Sequence, residues 1–160
     1  MGALTATVIT VSDRVSRGEA VDRSGPTAAA AIKELGFAVD VVVIPDGVES
    51  VEGALRDAVA TGASLVVTTG GTGMAQRDLT PEATHRVIER EAPGLAEAIR
   101  SSTFGSNPHG MLSRGVSGIV AETLIINLPG SVAGVTESLA VVGPALIHAV
   151  ELLLERPSQH

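Results

Sequence analysis

The sequence contains no cysteine, tryptophan or tyrosine, and its only phenylalanines are Phe37 and Phe104. The lack of cysteine excludes disulfides, thiolate metal ligands and thiol nucleophiles. Because aromatic side chains are so few, a nucleobase or another flat ring would have to lie on aliphatic side chains and glycine backbone. The core must therefore be built from aliphatic residues, and 44% of the chain is hydrophobic, with 18 glycines that allow close packing.

Basic residues are also scarce, since 11 lysines and arginines face 18 acidic residues and give a net charge of −7. Duplex nucleic acid and anionic membranes both require a basic surface, so neither is an expected partner. Residues 1–7 carry no basic start of a signal peptide. The most apolar stretch, residues 138–150, contains Gly143 and Pro144 and is predicted to be too short and too broken to span a bilayer. We expect a cytoplasmic protein.

Short runs of β-branched residues alternate with stretches of helical periodicity along the 160 residues. This pattern predicts one α/β domain over residues 1–160, with three α/β/α layers, a mostly parallel central sheet and a small β-hairpin. The predicted strands are 6–11, 39–44, 64–69, 115–120 and 123–128, the last two forming the hairpin. Helices are predicted at 27–35 and 48–60. A third begins at Thr80 and is broken by Pro93 and Gly94, and a fourth follows it and ends near residue 102. The last begins at Ser131 and is bent or interrupted at Gly143 and Pro144.

Four polar segments follow predicted strands, at residues 12–25, 46–47, 70–80 and 127–131. In an open α/β sheet, ligands bind in the crevice at the carboxyl ends of the strands. These segments are therefore expected to form one composite site. The helix after the third segment is expected to have Thr80 as its N-cap and Pro81 at its first position.

The run Thr68-Thr69-Gly70-Gly71-Thr72-Gly73 is the strongest local signal. Three glycines in four residues after a strand allow positive φ angles and close approach of backbone N–H groups to an anion. The segment is not a P-loop, because no Gly-Lys-[Ser/Thr] follows, and it is not a dinucleotide fingerprint, because Gln76 replaces the last glycine. A phosphate would be held by neutral donors. A tight turn without a ligand is the alternative.

Asp46 and Asp78 each follow the end of a predicted strand. Paired carboxylates near phosphates typically hold Mg²⁺, which binds one or two carboxylates and keeps several waters. The alternatives are that Asp46 only forms the Pro-Asp-Gly turn and that Asp78 only precedes a helix.

Two further segments also allow either interpretation. Residues 22–26 either begin a helix or contribute to the site, and residues 127–131 lead into a helix N-terminus that could bind an anion. The histidines are too scattered to share a metal, and no Ser-His-Asp arrangement is visible; they are His85, His109, His148 and His160.

Several spaced motifs occur in one order from about residue 6 to 154. They are Val11-Ser12-Asp13, Asp22-Arg23-Ser24-Gly25-Pro26, Pro45-Asp46, Gly70-Gly71-Thr72-Gly73, Arg77-Asp78-Leu79-Thr80-Pro81-Glu82-Ala83-Thr84, Pro93-Gly94-Leu95, Met111-Leu112-Ser113-Arg114 and Asn127-Leu128-Pro129-Gly130. This set resembles the Mog/MoaB-type molybdopterin adenylyltransferases and the corresponding domain of gephyrin.

The resemblance implies a cytoplasmic homotrimer of molybdenum-cofactor biosynthesis that uses Mg²⁺ and ATP. It would transfer AMP to the terminal phosphate of molybdopterin and release pyrophosphate, with the downstream molybdenum-insertion enzyme as a further partner. Asp46 and Asp78 match the family's catalytic acids, Ser113 matches a serine important for molybdopterin, and Gly70–Gly73 matches the nucleotide-phosphate cradle. The other ligand-binding candidates are Ser12, Asp13, Asp22, Ser24, Gly25, Arg114, Asn127, Pro129, Gly130 and Ser131.

We assign Asp46 and Asp78 to holding Mg²⁺ and orienting the nucleotide, because a phosphate nucleophile is already anionic and needs no general base. A non-catalytic molybdopterin-binding or scaffold protein of the same fold is the main alternative. A small phosphate-binding α/β enzyme unrelated to molybdenum is the other.

Overall fold

The computed structural model describes residues 2–157. Its strands are β1 (Thr5–Val11), β2 (Ala38–Ile44), β3 (Leu65–Thr69), β4 (Arg90–Glu91), β5 (Ser117–Val120) and β6 (Thr123–Leu128). Its α-helices are α1 (Asp13–Ser16), α2 (Ser24–Glu34), α3 (Val48–Ala60), α4 (Thr80–Val87), α5 (Pro93–Ser101) and α6 (Val132–Leu153), and a 3₁₀ helix spans Pro108–Leu112. The ends of the domain predicted for residues 1–160, and the prediction for His160, fall outside the described residues.

The strands form one six-stranded sheet in the order β2-β1-β3-β6-β5-β4. The β1–β2, β1–β3 and β3–β6 pairs are parallel, whereas β5 pairs antiparallel with both β6 and β4. The mostly parallel sheet and the β5–β6 hairpin are thus confirmed. The carboxyl ends of β1, β2, β3 and β6 lie at one edge of the sheet. After β1 the chain continues to β2 on one side of β1, whereas β3 pairs with β1 on the other side. That switch in direction opens a crevice between β1 and β3.

Helices cover both faces of the sheet, and the alternation of side chains along each strand explains why. Val8 and Val67 pack with α2, α5 and α6 in one core cluster, whereas their neighbours Ile9 and Val66 pack with α3 and α4 in the other. Successive residues of a strand point to opposite faces, so a strand in the middle layer must be apolar on both. The predicted three layers are confirmed.

The predicted course of the chain around α4 is wrong in two respects. The helix begins after Leu79, so Thr80 is its first residue rather than its N-cap, and the Thr80 hydroxyl donates to the Gly70 carbonyl at 3.0 Å. It then ends at Val87, before the short strand β4, and is not broken by Pro93, which instead begins α5. Two residues are too few to show the alternating pattern of a strand, which is why β4 was missed.

Helix α6 is also longer and more regular than predicted, because it continues through Pro144 for 22 residues without interruption. By length and composition alone it could cross a membrane. Its apolar stripe, however, lies in the core against α2 and the sheet; the stripe consists of Val135, Leu139, Val142, Leu146 and Val150. It is therefore a core helix of the α/β fold. Tertiary packing of this stripe outweighs the lost N–H and the steric cost of Pro144.

Candidate active site

The loop after β3 has a backbone shape that requires glycine. Gly70 and Gly71 have φ angles of +93° and +69°. A Cβ on Gly70 would clash with the Val11 carbonyl oxygen, and one on Gly71 would clash with the Thr80 hydroxyl. The loop therefore lies directly against β1 and α4, which side chains at these positions would prevent.

The amide groups of this loop are unequally used. The Gly70 N–H donates to the Leu128 carbonyl at 3.2 Å, whereas within residues 2–157 no hydrogen bond occupies the N–H of Gly71, Thr72 or Gly73. The side chain of Thr72 is buried. Three successive backbone N–H groups are thus without a partner within this part of the chain, and the anion-binding role predicted for them requires such free donors.

Asp46 and Asp78 line the same cavity, which has a volume of about 400 Å³. Asp46 Oδ2 accepts a hydrogen bond from the Asp13 amide at 2.9 Å, and the Asp46 amide donates to Asp13 Oδ1 at 3.0 Å. Asp78 Oδ2 accepts from the Ala75 amide at 3.0 Å. A Cβ on Gly73 would lie 2.9 Å from Asp78 Oδ2, so this glycine makes room for the carboxylate. The two predicted acids are brought together.

Asp46 and Asp78 suit a Mg²⁺ ion whose other ligands come from a bound substrate. Within residues 2–157, no group of three or more histidine, aspartate and glutamate residues could enclose a metal by itself. Mg²⁺ commonly binds through one or two carboxylates together with substrate phosphates, and Asp46 and Asp78 supply the carboxylates beside the loop's unused amides. The residues present therefore fit the metal.

A second cavity of about 470 Å³ adjoins the first. The two share Gly70, Gly71, Asp78 and Gly130 among their lining residues. Five further predicted ligand-binding residues line only the second cavity: Thr72, Gly73, Ser113, Pro129 and Ser131. Ser131 is the N-cap of α6, as predicted, and its hydroxyl accepts from the Gly134 amide at 3.0 Å.

Several predicted ligand-binding residues hold the frame of the site and line neither cavity. Asn127 is 3% exposed, and its side chain bonds the Val116 amide and the hydroxyls of Thr68 and Thr84. Asp13 is engaged with Asp46 as described above. Gly25 leaves no room for a Cβ beside Thr10 and Asp22.

Ser12, Asp22 and Ser24 line the cavity of Asp46 and Asp78, and each also has an internal bond. The Ser12 hydroxyl accepts from the Val15 amide at 3.2 Å. The Asp22 carboxylate accepts from the Thr10 hydroxyl and from the Gly25 amide, which fixes the start of α2. The Ser24 and Thr69 hydroxyls are 3.0 Å apart. The bonds of Asp22 and Ser24 join β1, β3 and the start of α2 beside the cavity.

Arg114 lines neither cavity, although its motif predicts a ligand-binding residue. Its guanidinium donates to the carbonyls of Gly73 and Asp78 and forms an ion pair with Glu82. The Arg114 hydrogen bond holds the pKa of the Glu82 carboxyl below its usual value, against the smaller opposing effect of desolvation. Arg114 thus contacts the chain on either side of the Asp78 carboxylate.

The sequence did not single out several lining residues. In the second cavity they come mostly from α5, the following loop and α6, and include Ile99, Arg100, Ser102, Thr103, Asn107, His109, Leu112, Ala133, Glu137 and Ser138. The first cavity is also lined by two cations, Arg23 and Arg77, which belong to the quoted motifs but were not predicted to bind a ligand. The only sequence signal for the first group is closeness to the Met111-Leu112-Ser113-Arg114 motif, because the loop has no regular pattern.

Comparison with known proteins supports the family resemblance that the motifs indicate. The family described as "Probable molybdopterin binding domain" matches residues 7–148. The chain is 39% identical over 153 residues to the molybdopterin adenylyltransferase of Helicobacter pylori, which covers 92% of this chain and 86% of that protein. It is 40% identical over 161 residues to gephyrin of Dictyostelium discoideum, covering 94% of this chain.

The chain spans only part of some longer relatives. It covers 22% of that gephyrin, 26% of the molybdenum cofactor synthesis protein cinnamon of Drosophila melanogaster and 48% of a molybdenum cofactor biosynthesis bifunctional protein of Synechococcus elongatus.

Solved structures agree in fold over nearly their full length. The molybdopterin biosynthesis Mog protein of Mycobacterium ulcerans superimposes with a TM-score of 0.89 at 40% identity, covering 94% of this chain and 99% of that one. The molybdopterin biosynthesis enzyme MoaB of Thermus thermophilus gives 0.84 at 42% identity, covering 98% and 99%. The chain therefore belongs to the molybdopterin-binding domain family, among the Mog/MoaB-type molybdopterin adenylyltransferases of molybdenum-cofactor biosynthesis.

Proposed function

We propose that this chain transfers the adenylyl group of ATP, bound with Mg²⁺, to the terminal phosphate of molybdopterin. The observation that carries this proposal is the pair of adjoining cavities that share the glycine loop and Asp78. A reaction between two phosphorylated substrates requires them to meet at one place in a fixed orientation, and such positioning lowers the barrier strongly. Two cavities with a common wall provide that arrangement.

The chemistry is a displacement at phosphorus. An oxygen of the terminal phosphate of molybdopterin attacks the α-phosphorus of ATP, and a new oxygen–phosphorus bond forms. The bond from that phosphorus to the oxygen bridging to the β-phosphate breaks, and pyrophosphate leaves with the bonding electrons. The attacking phosphate is largely dianionic at neutral pH, because its second pKa is about 6, so the step needs no protein base. Catalysis is then mainly positioning and stabilisation of charge.

In this proposal the triphosphate lies in the cavity of Asp46 and Asp78. Both carboxylates would hold Mg²⁺, which when bound neutralises the crowded phosphate charges. The unused amide of Gly71, in the wall shared by the two cavities, would donate to a phosphate oxygen of ATP, and those of Thr72 and Gly73, which line only the second cavity, would donate to the terminal phosphate of molybdopterin. Arg23 and Arg77 line the same cavity and add positive charge beside the two carboxylates.

Molybdopterin would occupy the second cavity, beside Ser113. Its wall combines hydroxyl groups with aliphatic side chains such as Ile99 and Ala133, and neither Phe37 nor Phe104 lines it. A pterin ring there would lie on aliphatic surface and glycine backbone, which agrees with the near absence of aromatic residues from the sequence. Its terminal phosphate would then point toward the shared wall at Gly70 and Asp78.

The test is to incubate the purified chain with ATP, Mg²⁺ and molybdopterin and to measure pyrophosphate and adenylylated molybdopterin. We expect both products in equal amounts, and neither when EDTA removes the metal. Binding of both ligands without product would instead favour the non-catalytic scaffold. Failure to bind molybdopterin would favour an unrelated phosphate-binding enzyme.

A homotrimer in the cytoplasm, delivering its product to a molybdenum-insertion enzyme, belongs to the same proposal. Sedimentation equilibrium of the purified chain tests the trimer, for which a monomeric mass would be the contrary result. Co-sedimentation with the insertion enzyme in the presence of product tests the transfer.

A further inference from the structure

One side chain, that of Arg114, contacts the loop of Asp78 at both of its ends. Its Nε donates to the Gly73 carbonyl at 2.9 Å and its Nη2 to the Asp78 carbonyl. Its own amide donates to the Thr72 carbonyl at 2.8 Å. The segment from Thr72 to Asp78 is therefore held at its first residues and at its last by a residue from a distant part of the chain.

The same guanidinium also donates to Glu82 in the first turn of α4. Nη1 forms the ion pair with Glu82 Oε1, and Nη2 lies 3.5 Å from Oε2. Asp78 lies just before this helix, so the ion pair fixes the helix end on which the loop depends. A planar guanidinium can serve several acceptors in fixed directions, which the single ammonium of a lysine cannot.

Arg114 also follows Ser113, which lines the second cavity. The Ser113 segment is held from the other side, because Arg100 donates to the Gly115 carbonyl at 2.7 Å. The short peptide 113–115 is thus fixed between α5 and the Asp78 loop. Any shift of Arg114 would change the distance between the Ser113 cavity and the Asp78 carboxylate.

We propose that Arg114 is a positioning residue, which sets the Asp78 carboxylate at a fixed distance from the Ser113 cavity and binds neither substrate. The expected effect on turnover rests on the proposed function. The contacts of Arg114 described above do not depend on it. It replaces the ligand-binding role predicted from the motif, because the guanidinium lines neither cavity and its contacts are made within the chain.

The experiment compares wild type with Arg114→Lys in two binding titrations and one assay. Affinity for ATP is measured with Mg²⁺ and with EDTA, affinity for molybdopterin is measured separately, and pyrophosphate release gives kcat. In Arg114→Lys we expect the gain in ATP affinity caused by Mg²⁺ to fall about fivefold and kcat to fall about tenfold or more, because a displaced carboxylate no longer meets the metal. Molybdopterin affinity should stay within about twofold of wild type.

Arg86→Lys is the matched control, since Arg86 lies on the same helix α4 and pairs with Glu52. It should leave both titrations and kcat at the wild-type values. If Arg114→Lys does not fold, Glu82→Gln removes only the ion pair and should lower the Mg²⁺ effect on ATP affinity by about threefold.

Two results would overturn the inference. The first is a loss of molybdopterin affinity in Arg114→Lys with an unchanged Mg²⁺ effect, which would make Arg114 a ligand-binding residue. The second is a variant indistinguishable from wild type in all three measurements. A wild-type chain that binds ATP with a Mg²⁺ effect but releases no pyrophosphate would contradict the proposed function alone, and the titrations of Arg114→Lys would still decide the inference.

Discussion

Asp46 and Asp78 line one cavity, but their carboxylates are held in different ways. Asp46 exchanges two hydrogen bonds with Asp13, which link the chain just after β2 to the chain just after β1. Asp78 is bonded by its side chain to the Ala75 amide within its own loop. Replacing Asp46 therefore disturbs the frame of the site as well as its chemistry, whereas Asp78 can be changed with less structural effect.

The first prediction concerns the charge of Asp78. In Asp78→Asn, adenylyl transfer should fall by about a hundredfold or more, because in the proposed function Asp78 is a negative metal ligand at a site where electrostatic stabilisation dominates. The amide oxygen can still accept from Ala75, so the melting temperature should stay within about 2 °C of wild type. Pyrophosphate release and thermal unfolding are the measurements. Asp57→Asn, at an exposed position on α3, is the control, and wild-type turnover in Asp78→Asn would remove this residue from the site.

The second prediction tests the assignment of molybdopterin to the second cavity with two serines that line it, Ser113 and Ser102. Ser113→Ala should weaken molybdopterin binding by about tenfold, the value of one hydrogen bond, and leave Mg²⁺-ATP binding nearly unchanged. Ser102→Ala is the control, because that hydroxyl already donates to the Ile99 carbonyl at 2.7 Å. Separate titrations of each ligand measure both affinities. A larger loss for ATP than for molybdopterin would mean that the cavities are assigned the wrong way round.

Residue types and their order predicted which side chains lie near the site but not which of them face it. Asn127, Gly25 and Arg114 are all in the predicted set, yet their polar groups or close packing serve the frame. The difference depends on which donors and acceptors are already used within the chain. For Asn127 and Arg114, contacts with residues between 41 and 59 positions away decide this, and no local pattern encodes them.

At the scale of elements, the loop between β3 and α4 is a rigid part and not a flexible connection. Gly70 packs on β1, Gly71 packs on Thr80 at the start of α4, and the Thr80 amide donates to the Gly71 carbonyl at 3.0 Å. Because this backbone is fixed before any ligand arrives, its amides can be directed at an anion without an ordering cost.

The third prediction tests that rigidity with two glycines of positive φ. Gly36, at +105°, has open space around a Cβ, so Gly36→Ala should cost only the strain of the left-handed backbone, about 1–2 kcal/mol. Gly71→Ala should cost about 1–3 kcal/mol more, because its methyl group would overlap the Thr80 hydroxyl. Urea unfolding of both variants gives the comparison. Equal losses would show that the loop yields easily.

The same elements show how far local patterns reach. Strands with β-branched runs and helices with clear ends, such as α3, were predicted nearly to the residue because their periodicity is strong. Strand β4 and the end of α4 were not, because a two-residue strand has no periodicity and its pairing with β5 comes from tertiary contacts. Pro144 was interpreted as an interruption for a similar reason, since the packing of α6 into the core outweighs a local rule.

At the scale of the whole molecule, the sheet order brings four separate loops to one edge, as the sequence predicted. The second cavity could not be predicted in the same way, because its far wall comes from α5, the 3₁₀ helix and α6, which reach the edge only through their packing on the sheet. The protein's net charge of −7 also says little about the site, where Arg23 and Arg77 line the cavity of the two acids. The net charge of the whole chain therefore does not predict the charge at one site.

The last prediction concerns the response of the whole fold to acid. Arg114 lowers the pKa of Glu82 in the folded protein below the unperturbed value of 4.5. A lowered folded-state pKa means that the ion pair stabilises the fold above the unfolded-state pKa, and that this contribution is lost as the pH falls through the folded-state value. The urea midpoint of wild type should therefore exceed that of Glu82→Gln at about pH 7, and the two should converge toward about pH 3. Glu97→Gln, exposed on α5, should follow wild type at every pH. Curves for wild type and Glu82→Gln that stay parallel across this range would show that the ion pair does not stabilise the fold.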